Sequence, residues 1–274
     1  MLTLLPTPIG NIEDITLRAL RVLERAEIFL CEDTRVAKKL LQLLSERHGL
    51  AIRTPRFIAL HSHNEKRFLE ALDPSFFDRE VVYMSDAGMP GISDPGAMLV
   101  RYCQQNGLDY TVLPGPTAFA TAYAASGFLS PRFLFYGFLP HKGLDREKAL
   151  TEVLASSYPV ILYESPHRLE KLLDALVQKA PERTLFLAKE LSKRHERYFF
   201  GRAETIARQI TGTLLKGEWV VVIAPDEAPR NRGSIDVEEI LTLSLPPKQK
   251  AKLLAKMTGE SVKSWYARLM ESGA

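Results

Sequence analysis

Residues 85–96 run Ser85-Asp86-Ala87-Gly88-Met89-Pro90-Gly91-Ile92-Ser93-Asp94-Pro95-Gly96. They follow Val81-Val82-Tyr83-Met84, a short apolar run of the kind that forms a buried strand. They precede Ala97-Met98-Leu99-Val100-Arg101-Tyr102-Cys103, whose apolar spacing predicts a helix. Three glycines, two prolines and two aspartates lie between the strand and the helix. Glycine opens backbone conformations closed to other residues and lets a ligand approach the main chain. Proline fixes φ and stiffens the loop. A loop both permissive and stiff, at the C-terminal end of a strand, is where open α/β sheets hold ligands. A plain helix entry, with Asp94 as N-cap and Pro95 in the first turn, accounts for part of this composition.

The same pattern repeats outward from that loop. Leu2 to Leu5, Ile28 to Cys31, Phe57 to Leu60 and Tyr110 to Leu113 read as further strands. Their ends carry PTPIGN (6–11), CEDTR (31–35), HSHN (61–64) and PGPT (114–117). Asp14 is placed to cap a helix through Leu23, and a basic helix runs through Lys38 and Lys39. Strand, loop and helix in alternation predict a mostly parallel sheet flanked by helices, with all five loops on one edge around one site. Residues 133–140 then read as a bridge to a second, α+β domain. Its strands fall at 160–163, 185–188, 197–201 and 219–223, and Pro166 starts a helix. The chain therefore divides into an N-terminal α/β domain (1–132), a C-terminal α+β domain (133–224), and a linker with a helical tail (225–274).

Composition excludes several classes. Hydrophobic residues are 46% and charged residues 25%, enough apolar material for a proper core. No apolar run is long enough to predict a transmembrane helix. The N-terminus lacks the basic segment of a signal peptide, and Cys31 and Cys103 make neither a metal spacing nor a disulfide framework. A cytoplasmic protein with reduced thiols is expected. Net charge is only +3, but it is unevenly spread. Residues 246–274 carry Lys248, Lys250, Lys252, Lys256, Lys263 and Arg268 against Glu260 and Glu271. Such a tail suits an acidic partner, although a solvated helix face would look the same.

Familiar catalytic signatures are missing. The sequence has no GxGxxG after the first strand, no GxxxxGK[ST] and no GxSxG. His61 and His63 have no matching Cys or acid at metal spacing, so no metal is expected. Glu32-Asp33-Thr34-Arg35 places charge at a strand end. It reads either as a helix cap with an acidic first turn or as a substrate wall in which Arg35 meets phosphate. Lys189-Glu190 at another strand end reads either as an ion pair or as a substrate contact.

PTPIGNIEDITLRAL (6–20), LCEDTR (30–35), HSHN, SDAGMPGISDPG (85–96), LPGPTA (113–118), FLFYGFLP (133–140), YESPHR (163–168), AKELSKRHE (188–196) and GEWVVVI (217–223) occur in this order. Together they resemble the tetrapyrrole methylases, the class III S-adenosylmethionine (SAM)-dependent methyltransferases. The resemblance covers residues 1–224 and is weaker over the tail. It implies two α/β domains with SAM held in the cleft between them. EDTR, HSHN, YESPHR and KELSKRHE are similar to the branch that methylates RNA. That implies transfer to the ribose 2′-oxygen of a cytidine in the decoding region of 16S ribosomal RNA, by a homodimer.

Carried over residue by residue, the resemblance implies cofactor contacts at Pro8 and Gly10, and at Asp86, Ala87, Gly88, Ile92, Ser93 and Asp94. It implies others at Pro116, Thr117 and Ala118, at Tyr136, Gly137, Phe138 and Glu164, and at Gly217 and Glu218. A ribose hydroxyl is a weak nucleophile that a positioned base would help, and Asp33, Glu190 and His61 are the candidates. Arg35, Lys39, Asn64, Lys189 and the basic tail are expected to meet RNA. A tetrapyrrole methyltransferase, or a ribosome-assembly RNA-binding protein without catalysis, remains open at this point.

Overall fold

Strands buried on both faces dominate the first half of the chain. The computed structural model describes residues 1–52, 56–226 and 237–271. In chain order come β1 (Leu2–Leu4), α1 (Leu17–Arg25), β2 (Ile28–Cys31), α2 (Thr34–His48), β3 (Arg56–Ala59), α3 (Glu65–Glu70), β4 (Val81–Met84), α4 (Ala97–Asn106), β5 (Tyr110–Val112) and α5 (Ala118–Ser126). The strands pair in parallel in the order β3-β2-β4-β1-β5. Burial on both sides explains why β1, β2 and β4 read as unbroken apolar runs.

Alternate side chains go to opposite layers. Phe29, Cys31, Val82 and Met84 pack on Ala19 and Leu23 of α1 and on Leu41 and Leu44 of α2. Leu4, Leu30 and Tyr83 pack on Leu69 of α3 and on Leu99 and Cys103 of α4. Neighbouring strands β1 and β4 thus send their following helices to opposite faces. Such a switch point leaves a crevice beyond the strand ends, where open α/β sheets bind ligands.

Two caps differ from expectation. Thr16, not Asp14, caps α1 by accepting from the Ala19 amide at 3.1 Å. Helix α4 starts at Ala97 behind Gly96, whose φ is 123°, with no side-chain cap bond. Asp94 therefore does not cap it, since the chain needs two more residues to turn into the helix. Asp33 does cap α2, accepting from the Arg35 amide at 2.8 Å.

The second sheet holds β6 (Leu134–Phe138), β7 (Val160–Glu164), β8 (Thr184–Lys189), β9 (Arg197–Arg202) and β10 (Trp219–Ile223), in the order β6-β7-β10-β8-β9. Only β6 and β7 run parallel. Helices α6 (Gly143–Leu154), α7 (Pro166–Lys179) and α8 (Ala203–Gln209) cover one face. The other face carries Ile161, Phe186, Ala188, Val220 and Val222, and it packs on Phe119 and Ala122 of α5. Helix α5 follows the first sheet yet packs one side, Phe119 and Ala122, on the inner face of the second, while Ala120, Thr121, Ala124 and Ala125 are exposed. Residues 1–226 form one compact unit containing both sheets.

The described residues after 236 form a separate unit of α9 (Val237–Thr242), α10 (Pro247–Thr258) and α11 (Val262–Glu271). Its core is Ile240, Ala251, Leu254, Trp265 and Leu269. Gly259, at φ 78°, ends α10 in the left-handed conformation that favours glycine. Most of the expected linker, 227–236, lies outside the described residues. No helix among the described residues is long and apolar enough to cross a membrane.

Candidate active site

The loop after β4 is tied down at both ends. Thr7 and Gly88 exchange backbone hydrogen bonds of 2.9 and 3.0 Å across the β1–β4 crevice. Gly88 sits at φ 84°, a conformation that favours glycine, and a Cβ there would also lie a tight 3.3 Å from Ile9 Cγ2. At the other end, the nearly buried Glu65 accepts from the Gly96 amide at 3.0 Å. Ser93, between them, holds φ at 64°, a conformation that costs a residue with a Cβ. Gly137 of β6 comes so close that an added Cβ would meet Ser93 Oγ at 3.2 Å.

Above this loop lies a cavity of about 260 Å³ between the two sheets. Of the residues expected at the cofactor, Ala87, Gly88, Ile92, Ser93, Asp94, Thr117, Ala118, Phe138, Glu164 and Glu218 line it. Ile9, Met89, Tyr163, Ala188, Leu191, Trp219 and Val220 also line it and were not expected. Ile9, Met89 and Leu191 sit in the loops, and Tyr163, Ala188 and Val220 lie on the inner face of the second sheet. Trp219 reaches the cavity from the start of β10, although its side chain belongs to the outer core. Apolar strand residues of this kind look like ordinary core in the sequence.

The other expected contacts stand back from the cavity. Pro8 and Gly10 flank Ile9, Asp86 precedes Ala87, and the Pro116 carbonyl faces Gly88. Tyr136 belongs to the core on the outer face of the second sheet, so its ring points away from the cleft. Gly217 lies under Glu190, whose Cγ would be 2.9 Å from an added Cβ.

Carboxylates crowd the same edge. The Asp33 amide donates to Asp86 Oδ1 at 3.1 Å, which ties the end of β2 to the end of β4. Burial, then the Glu32 and Asp86 charges, push Asp94 up to about 6. Glu32 is raised by burial and by Asp86, and Asp86 by burial and by Asp33. Asp33 behaves oppositely. Its hydrogen bonds from the Arg35 side chain and amide hold it down at about 2. The cleft therefore carries net negative potential, which favours a cationic ligand.

The expected bases differ in availability. Asp33 is paired to Arg35 through both oxygens, at 3.0 and 2.6 Å. Glu190 Oε1 accepts from the Glu218 amide at 2.8 Å and from Lys193 Nζ at 3.0 Å. Burial would raise this carboxyl, but those donors outweigh it and hold it below the usual range. Neither group is a free acceptor. His61 Nδ1 is buried without a hydrogen-bond partner, as is Tyr83 Oη beneath the loop. His61 and His63 meet edge to face at 5.9 Å in a turn beyond β3.

Two of the expected RNA contacts are turned to other uses. Asn64 Oδ1 accepts from the His61 amide at 2.8 Å and its Nδ2 donates to Ala59 O at 3.0 Å, so it shapes the turn. Lys189 is buried, donates to Leu214 O at 2.8 Å and lies over the Trp219 ring. It faces the outer core of the second sheet, and the expectation that it meets RNA is corrected on that ground. Arg35 and Lys39 are exposed at the start of α2. No group of His, Cys, Asp or Glu among the described residues could hold a metal ion.

Comparison with known proteins follows the same lines. The family model for tetrapyrrole (corrin/porphyrin) methylases matches residues 1–207. A Helicobacter pylori (strain J99) protein named ribosomal RNA small subunit methyltransferase I is 48% identical, over 99% of this chain and 98% of its own. Proteins of the same name from Campylobacter fetus and Neisseria meningitidis serogroup B are 46% and 35% identical, covering 98% and 95% of this chain and 100% and 89% of their own. Solved structures share the fold. The methyltransferase CobJ superposes with a TM-score of 0.57 at 20% identity, over 82% of this chain and 94% of its own. Uroporphyrin-III C-methyltransferase from Thermus thermophilus, solved with S-adenosyl homocysteine, gives 0.54 at 17%, over 81% and 96%.

Proposed function

The chain belongs to the tetrapyrrole methylase family, and from that premise we propose that it uses SAM to methylate small-subunit ribosomal RNA, at the ribose 2′-oxygen of a cytidine in the decoding region of 16S RNA. The observation that carries this reading is the cavity at the β1–β4 switch point, in a chain nearly half identical to a protein named ribosomal RNA small subunit methyltransferase I. The residues present fit the donor. Gly88 and the strained Ser93 leave backbone open to the cavity, Ile92, Leu191, Val220 and Phe138 give it apolar walls, and the acidic edge suits a cation. SAM, when bound, supplies an electrophilic methyl group on a sulfonium.

The chain's own residues have three tasks. The 85–96 loop and the inner face of the second sheet hold the donor and exclude water. Position supplies most of the rate, because the reacting groups need alignment more than covalent help. Asp33 and Glu190 are tied up in ion pairs while His61 has none among the described residues, so His61 is the base we retain for the ribose hydroxyl. Arg35, Lys39 and the exposed lysines of α10, Lys248, Lys252 and Lys256, would meet phosphates, whereas Lys250 is buried and donates to Leu241 O. A homodimeric state belongs to the same reading and is checked by analytical ultracentrifugation.

Labelled SAM should be offered with small subunits from a strain lacking the gene and, separately, with a uroporphyrinogen-type tetrapyrrole. Label entering RNA supports the proposal. Label entering the tetrapyrrole alone, or neither acceptor, overturns it.

A further inference from the structure

The loop after β8 is built unusually for a surface turn. Glu190 and Ser192 both hold positive φ, 52° and 63°, although neither is glycine. Such conformations cost a residue with a Cβ and persist where the surroundings enforce them. At Ser192 the surroundings belong to the other lobe. Its Oγ accepts from the Asn11 amide at 3.1 Å and donates to the Asp14 carboxylate. Its own amide donates to Glu196 Oε2 at 2.6 Å, which fixes the turn from behind.

Gly10 completes the contact. A Cβ there would lie 2.5 Å from Lys193 Cγ and 2.7 Å from Leu191 O, so only glycine lets the two loops approach this closely. Glu190 and Lys193 are held by their own bonds to Glu218, which leaves Ser192 as the polar link across the gap. The residues beside this link, Ile9 on one side and Leu191 on the other, both line the cavity. The contact therefore sits at the rim where the two lobes meet over the candidate donor site.

We propose that Ser192 is a positioning residue: its hydroxyl latches the Gly10–Asp14 loop of the first lobe to the second, and this latch sets the affinity of the cleft for the methyl donor. The proposal rests on the reading of the cleft as a SAM site. Glycine would hold the same backbone without strain, so what serine adds at 192 is the hydroxyl. Loss of the latch would leave both lobes folded, because each has its own core.

Ser192→Gly separates these effects. Glycine relieves the backbone at φ 63° but frees the unfolded chain and removes the latch's hydrogen bonds, so the melting temperature should stay close to that of the wild type. Calorimetric affinity for S-adenosylhomocysteine should fall about tenfold. In the ligand-free protein, hydrogen exchange at the Asn11 amide should speed up about tenfold or more. Asp14→Asn, which keeps an acceptor for the Ser192 hydroxyl, should bind within about twofold of the wild type, whereas Asp14→Ala should follow Ser192→Gly. Unchanged affinity and unchanged Asn11 exchange in Ser192→Gly would overturn the latch while leaving the donor site intact. Failure of the wild type to bind S-adenosylhomocysteine would instead overturn the donor reading, and with it the claim about affinity. The exchange rates would still decide whether Ser192 holds the two loops together.

Discussion

At the residue scale, Gly88 and Asp94 carry the clearest consequences. Gly88→Ala forces a Cβ into φ 84° within 3.3 Å of Ile9. It should cost about 1–2 kcal/mol in denaturant unfolding and weaken S-adenosylhomocysteine binding. Wild-type values in both would contradict the close-approach account.

Asp94 titrates near 3.8 when unfolded and near 6 when folded. The folded state therefore holds an extra proton in that window. The stability it contributes is full below the lower value and is lost as pH rises through the upper one. Glu32 and Asp86, also raised, add in the same direction. The charge that costs the empty fold should favour a cationic ligand. Preference for SAM over S-adenosylhomocysteine, measured by calorimetry, should grow between about pH 5 and pH 7, and Asp94→Asn should flatten that rise. A preference constant with pH would count against the acidic edge.

The composition of residues 85–96 revealed this loop, because Gly, Pro and Asp each have a local physical meaning. The role of Glu65 was hidden. Nothing in the sequence says that a glutamate opening α3 will bond the Gly96 amide 31 residues on. Lys189 was legible but misread. It stands in phase with Leu185 and Leu187, which face the outer core, and out of phase with Phe186 and Ala188, which face the cleft.

At the scale of elements, the end of β7 depends on a buried charge cluster. Glu164 is almost wholly buried between Arg146 and Arg168, at 2.9 and 2.6 Å. The two arginines also donate to Pro140 O and Leu139 O, so the cluster fixes the segment after Phe138 at the cavity wall. Glu164→Gln leaves two guanidinium groups with no counter-charge at the site. It should cost about 3–5 kcal/mol in equilibrium unfolding. A loss below about 1 kcal/mol would place the cluster among weak surface pairs. The spacing of YESPHR showed a strand and a Pro-started helix. It could not show Arg146, which approaches from a different helix. Four of the five strands of the second sheet were legible from their apolar runs, but residues 133–140 read as a bridge where the chain forms edge strand β6. The mostly antiparallel pairing was not legible, because register is decided by partners distant in the chain.

At the scale of the whole molecule, the first 226 residues form a complete unit that contains the cleft, and the basic helices form another. Lys248, Lys252 and Lys256 recur every four residues along α10, all exposed on one stripe, with no acid in that helix. Removal of residues 227–274 should leave S-adenosylhomocysteine affinity within about twofold. It should weaken RNA binding and make the salt dependence shallower, by about 0.7 in slope for each phosphate the tail had neutralised. Equal RNA affinity of both forms across a salt series would release the tail from that role. Charge along the sequence was enough to suggest this unit, since a basic stripe is a local property. Strand–loop–helix alternation gathered the five loops on one edge, but only the resemblance said that a second domain closes a cleft over them.

The most direct measurement concerns the product. RNA from small subunits of a strain lacking the gene, labelled by this protein with methyl-labelled SAM, should be digested to nucleosides and separated. The account predicts label in 2′-O-methylcytidine. Label in a base-methylated nucleoside, or RNA that gains none while the protein binds SAM, would contradict it.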